Sequence, residues 1–152
     1  MYAAVRALWY WLPVVILAAM IVGAATDQLS SEHSVSWLER ILDGSVSYVW
    51  IAFWNVIIRK MSHVSEYALL AALAFRAARA GRPGFTTRWA QTAFAVAVAV
   101  AAIDELRQST MRYRSGRWQD VVVDACGAAL ALMVIRWMAP RFLGASAVTA
   151  GE

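Results

Sequence analysis

The sequence predicts an all-α integral membrane protein. Four transmembrane helices form a single domain over residues 1–152, with an interfacial or re-entrant amphipathic segment between the first and second. Three observations carry this expectation. The chain of 152 residues is 61% hydrophobic and only 16% charged, whereas soluble domains run near half apolar and a quarter charged. Apolar runs approaching the roughly 20 residues that cross a bilayer core recur along it. The charge collects between these runs instead of spreading through them.

The first span is expected at about 7–26, ALWYWLPVVILAAMIVGAAT. Its apolar stretch exceeds a usual signal-peptide core, and Trp9, Tyr10 and Trp11 have the look of an interfacial anchor, so a retained helix is expected. The segment 35–58 differs. Trp37, Leu38, Ile41 and Leu42 follow helical spacing, and YVWIAFWNVII is then apolar but too short to span. That pattern predicts a helix lying on the membrane surface or re-entering it.

The second span is expected at 63–80, with Arg76 and Arg79 snorkelling from its last turn. The third, at 89–106, contains AFAVAVAVAA. Both members of that alternation are apolar, so no polar face exists, and a lone strand would leave its backbone unpaired in lipid. A helix rich in small residues, suited to close packing, is expected there. The fourth span is expected at 121–139. Cys126, the single cysteine, admits no internal disulfide and reads as a small packing residue.

Lys and Arg divide evenly between the two sides of such a bundle. The acids do not: all but Glu152 fall on one side. The loop RAARAGRPGFTTR joining the second and third spans is short and purely basic, as cytoplasmic loops usually are. Both termini are therefore expected inside a bacterial plasma membrane, with the acid-rich side facing out. Arginines that flank apolar runs set orientation, so the net charge of +4 does not argue for a nucleic-acid partner.

The functional signal lies in IDELRQSTMRYRSGRWQDVVVD, Ile103 to Asp124. This connector holds four carboxylates and four arginines, in a chain with 10 acidic and 14 basic residues. The basic turn makes the second and third spans a hairpin. His63 and Asp104 then lie at equal depth, about 24 Å from it at 1.5 Å per residue. His63, Glu66, Asp104, Glu105, Gln108, Asp120 and Asp124 should crowd one outer rim, with Arg112, Arg114 and Arg117 above them. His63 and Glu66 are three apart; Asp104 and Gln108, and Asp120 and Asp124, are four apart, so each pair shares a helix face. Gly127 continues the last face and permits close approach by another helix.

Aspartates at such spacing repel, and need an arginine, a protonated His63, a shared proton or a metal ion. A purely structural ion network and a functional pocket both fit this pattern. Ionisable groups inside spans favour function because they are costly there. Several carboxylates suit a divalent metal, but nothing fixes a ligand set, and no cofactor is expected. Glycine-rich phosphate loops, paired cysteines, HExxH and GxSxG are all missing.

Three segments, KMSHVSEYALLAALAFRA (Lys60 to Ala77), IDELRQ and RSGRWQDVVVDACG, together resemble the VanZ-like family of small bacterial membrane proteins. The resemblance covers about Lys60 to Met133 and rests on the order and spacing of the pieces. It implies functional positions at Lys60, His63, Tyr67, Asp104, Glu105, Gln108, Arg114, Asp120, Asp124 and Gly127. Two features depart from the family pattern. Met-Arg-Tyr precedes Arg114 where many relatives carry a proline, and Asp124 stands where Asn is frequent. The resemblance also implies an association with teicoplanin-type glycopeptide resistance, which concerns cell-wall precursors outside the membrane.

Three functions follow as expectations. The first is a binding or envelope-modulating protein whose outer pocket recognises a lipid-linked precursor, a headgroup or a drug. The second is a membrane enzyme acting on lipid phosphates. In it, Asp104 or Glu105 would serve as base, His63 as acid or base, and Arg114 as clamp. The third is a proton- or ion-coupled transporter, for which four spans suffice only in a homo-oligomer.

Overall fold

The structure, a computed structural model, describes residues 2–24, 40–41, 46–110 and 117–142. Four long helices make the body: α1 (Tyr2–Ala24), α2 (Tyr48–Arg79), α3 (Thr87–Ser109) and α4 (Trp118–Phe142). No strand occurs among the described residues. The helices α2, α3 and α4 all pack on one another, and α1 lies against α2 and α3.

Each buried stripe follows from residue size and spacing. On α3, Ala93, Ala97 and Ala101 are buried at four-residue intervals. Their small side chains let α2 approach with Leu70, Ala71, Ala74 and Phe75. On α4 the stripe is Asp124, Gly127, Ala128 and Leu132. A Cβ on Gly127 would stand 2.5 Å from the Val64 carbonyl oxygen, so the two helix backbones meet there. Cys126 falls off this stripe and is exposed, so it is not the packing residue expected. From α1, Val14 and Ile21 enter the core with Tyr10, Leu17 and Ala18 beside them.

The turn between α2 and α3 is closed by its own residues. Ala80 is left-handed at φ 50°, and its N–H reaches the carbonyls of Ala77 and Arg76 at 3.0 and 3.2 Å. Gly81 follows at φ 80°, a conformation that glycine adopts without strain. The Arg82 guanidinium donates to the Arg79 and Ala78 carbonyls, both at 3.0 Å, and lies over the Trp89 ring. Thr86 caps α3 by accepting from the Trp89 N–H. Phe75 stacks on Phe85 at 5.2 Å and meets Trp89 edge-on.

The second helix differs from its expected bounds. It is one helix of 32 residues beginning at Tyr48, not a span starting near His63 after a separate surface segment. No proline or glycine lies between Tyr48 and Arg79, so nothing stops the backbone ladder there. Arg59 and Lys60, which resemble an end, stand mid-helix. At 1.5 Å per residue α2 is about 48 Å long, against a bilayer core of about 30 Å. The earlier part of the 35–58 segment lies largely outside the described residues.

Two helices, Thr87–Ser109 and Trp118–Pro140, are long and apolar enough to cross a membrane, and Ala7–Gly23 is a shorter apolar helix. Large apolar side chains face outward on all four helices, among them Trp9, Phe53, Leu69, Leu106 and Trp137.

Candidate functional site

The core stripes change character at the end of the bundle away from the basic turn. On α3 the alanine face continues directly into Asp104, Glu105 and Gln108, which are 3%, 9% and 5% exposed. On α4 it continues outward to Asp124, 3% exposed. On α2 it runs from Leu70 and Tyr67 to His63 and Lys60. The same geometry that buries alanine in the middle of the bundle therefore buries carboxylates at its end. Such groups are ordinarily kept in water, because burial costs a charge its hydration.

Two ion pairs connect α2 to α4. Lys60 Nζ stands 3.5 Å from Asp120 Oδ1, both of them substantially solvated. One turn deeper, His63 Nδ1 stands 3.6 Å from Asp124 Oδ1. The exposed pair contributes little to stability. The deeper pair is set by the Gly127–Val64 contact, because Asp124 and Gly127 share a face of α4, as His63 and Val64 adjoin on α2. His63 also lies parallel to the Tyr67 ring at 6.4 Å.

The α3 side is organised differently. Gln108 Nε2 donates to Asp104 Oδ2 at 2.7 Å, a buried bond between side chains one helical turn apart. The Arg117 backbone N–H donates to Glu105 Oε1, which ties the residue before α4 to the end of α3. The Arg107 guanidinium donates to the Val22 carbonyl and holds this end of α3 to α1. Tyr67, fully buried, sits within the electrostatic reach of Asp104, Asp124, Glu66 and Glu105.

Among the described residues, the structure thus gathers Lys60, His63, Glu66, Tyr67, Asp104, Glu105, Gln108, Asp120 and Asp124 at one end. Glu66 is half-buried on the rim. The Arg117 side chain is exposed and contributes through its backbone. Arg112 and Arg114 lie outside the described residues. Sequence reasoning missed the contact of Arg107 with the Val22 carbonyl, a backbone partner far away in the chain that leaves no residue-type signal. It also missed Val64, where only the backbone is used. Among the described residues no three His, Cys, Asp or Glu side chains are arranged to hold a metal ion.

The arrangement offers a set of buried acceptors with an imidazole and an ammonium at its edge. It can accept hydrogen bonds from a ligand, and His63 can exchange a proton with it. No curated protein and no solved structure matches the chain. The VanZ/LLP1 family profile matches residues 6–139, which takes in α1 through nearly all of α4 and every residue of the polar cluster. The chain belongs to the VanZ/LLP1 family.

Proposed function

We propose that the chain is a multi-pass protein of the bacterial plasma membrane, with both termini cytoplasmic and the polar end of its bundle facing out. That end recognises the polar head of a lipid-linked cell-wall precursor, a lipid headgroup or a glycopeptide. Binding there alters the cell envelope and with it susceptibility to glycopeptides such as teicoplanin. The observation that carries this reading is the run of Asp104, Glu105, Gln108 and Asp124 on the helices' own packing faces. Ionisable groups inside a membrane bundle are expensive, so a fold that needs only packing would use alanine there, as it does at Ala93, Ala97 and Ala101. Two helices of spanning length and apolar side chains on every outer face support the membrane setting. Arg112, Arg114 and Arg117 would meet a phosphate with charge-assisted hydrogen bonds.

The test is a set of single changes, Glu105→Gln, Arg114→Ala and Asp120→Asn, expressed in a teicoplanin-susceptible host beside the wild type. Folding is checked by thermal unfolding, and teicoplanin susceptibility is measured alongside lipid-precursor levels. At least one variant should lose the wild-type effect while remaining folded. Wild-type behaviour of all three in both readouts would make the cluster a structural ion network.

A second reading, group transfer on lipid phosphates, is favoured by the His63–Asp124 pair, since a carboxylate beside an imidazole orients it for proton transfer. His63 would act as acid or base and Asp104 or Glu105 as base. Purified protein that turns over no lipid phosphate, with or without Mg²⁺, excludes it.

A further inference from the structure

Between α2 and α4 the polar end leaves buried polar atoms without hydrogen-bond partners among the described residues. Asp124 Oδ1 is buried and accepts no hydrogen bond among the described residues. Its neighbour His63 Nδ1, at 3.6 Å, is beyond the 2.7–2.9 Å of a charge-assisted bond and is likewise unpartnered by hydrogen bonds. Tyr67, with no exposed surface, carries a hydroxyl without a hydrogen-bond partner among the described residues. Its phenol lies in the field of four carboxylates, Asp104, Asp124, Glu66 and Glu105. Two buried oxygens on facing helices, neither accepting a hydrogen bond among the described residues, require an explanation, because native interiors satisfy nearly all such atoms.

The chemistry of these atoms narrows what they can bind. An anion would meet the four carboxylates and be repelled. A hard divalent metal takes six or more oxygens, and no set of three ligating side chains converges among the described residues. A primary ammonium is different. It is a compact charge with three N–H donors and no acceptor, so it matches two buried oxygens that accept no hydrogen bond among the described residues, Asp124 Oδ1 and Tyr67 Oη. A quaternary ammonium has the same charge and no N–H to give.

We propose that the unsatisfied polar atoms of His63, Tyr67 and Asp124 receive the primary ammonium group of a membrane lipid or lipid-linked precursor. Asp124 Oδ1 and Tyr67 Oη accept two of its hydrogens, and the half-buried Glu66 faces the third from the rim. This rests on the outward-facing recognition site proposed above and names the chemical class that the site selects.

Wild-type protein in nanodiscs is offered equal amounts of phosphatidylethanolamine and phosphatidylcholine, and the retained lipid is weighed by native mass spectrometry. The two lipids share phosphate and chains and differ in their ammonium hydrogens. In parallel, binding of a lipid-linked cell-wall precursor is compared with that of the same precursor after N-acetylation. The proposal expects a preference of about tenfold for the free amine in one of the two comparisons, the loss expected when one charged hydrogen-bond set is removed. Which comparison shows it identifies the source of the amine. The near-isosteric variants Asp124→Asn and Tyr67→Phe should reduce the preference while unfolding at temperatures close to wild type.

Equal binding of both precursors together with equal retention of both lipids overturns the amine proposal and leaves outer-face recognition standing. Binding of neither precursor and neither lipid removes both. A preference that survives in Asp124→Asn and Tyr67→Phe places the amine elsewhere and also overturns it.

Discussion

The two ends of the bundle solve the same physical problem in opposite ways. At the basic turn, backbone and guanidinium groups find partners within a few residues. Ala80 and Arg82 satisfy the last carbonyls of α2, Thr86 caps α3, and Arg76, Arg82 and Arg136 lie over Tyr10, Trp89 and Phe85. At the acidic end, carboxylates sit on the packing faces themselves, and Tyr67 Oη and Asp124 Oδ1 have no hydrogen-bond partner among the described residues. The turn end closes on itself. The acidic end leaves buried oxygens unused among the described residues, and the proposed recognition rests on that difference.

The sharpest way to break this contrast is to damage the turn end. Phe75→Ala removes a buried ring that touches both Phe85 and Trp89. It should cost about 3–5 kcal/mol of stability in detergent unfolding; a loss below about 1 kcal/mol would mean that the aromatic cluster does not hold the hairpin. Gly127→Ala comes next, because its Cβ meets the Val64 backbone rather than a movable side chain. A destabilisation of about 1–3 kcal/mol is expected, with an equal melting temperature arguing for looser α2–α4 contact.

Arg82→Gln removes two bonds to helix-end carbonyls and a ring contact, all at the surface. About 1 kcal/mol is expected from the same unfolding assay, and no change in glycopeptide susceptibility. Tyr67→Phe should have the smallest effect. Deleting a hydroxyl that lacks a partner is neutral or slightly stabilising, so a melting temperature at or above wild type is expected. A clear drop would show that the hydroxyl is satisfied in the folded protein, and that the acidic end is as self-contained as the turn.

How much of this is legible in the sequence depends on which force sets each feature. Apolar length fixes α1, α3 and α4, whose observed bounds lie within a few residues of the apolar runs. The basic turn follows from its glycines and proline. Equal depth of His63 and Asp104 follows from helical rise alone. The start of α2 does not, because Arg59 and Lys60 imitate a helix end, and only the lack of a breaker from Tyr48 onward argues for continuity. Within the site, Asp104 with Gln108 is a spacing of one turn and can be read directly. Glu105 with the Arg117 backbone cannot, because that bond depends on the path of the intervening loop and on no side chain of Arg117. The orphaned oxygens are likewise illegible, since their isolation is a property of three helices at once.

The continuity of α2 carries a consequence for evolution and engineering. Lys60, His63 and Tyr67 share an unbroken rod with Trp50 and Trp54, so the azimuth of the aromatic third is locked to that of the site. Each residue added to an α-helix turns what precedes it by about 100°. One extra residue between Ile57 and Arg59 would swing Trp50 and Trp54 to a different side of the protein while leaving His63 in place. Seven extra residues would return them to within about 20° of their original bearing. Length variation in this part of the chain should therefore be tolerated in steps of seven, or of three and four, and poorly in steps of one or two.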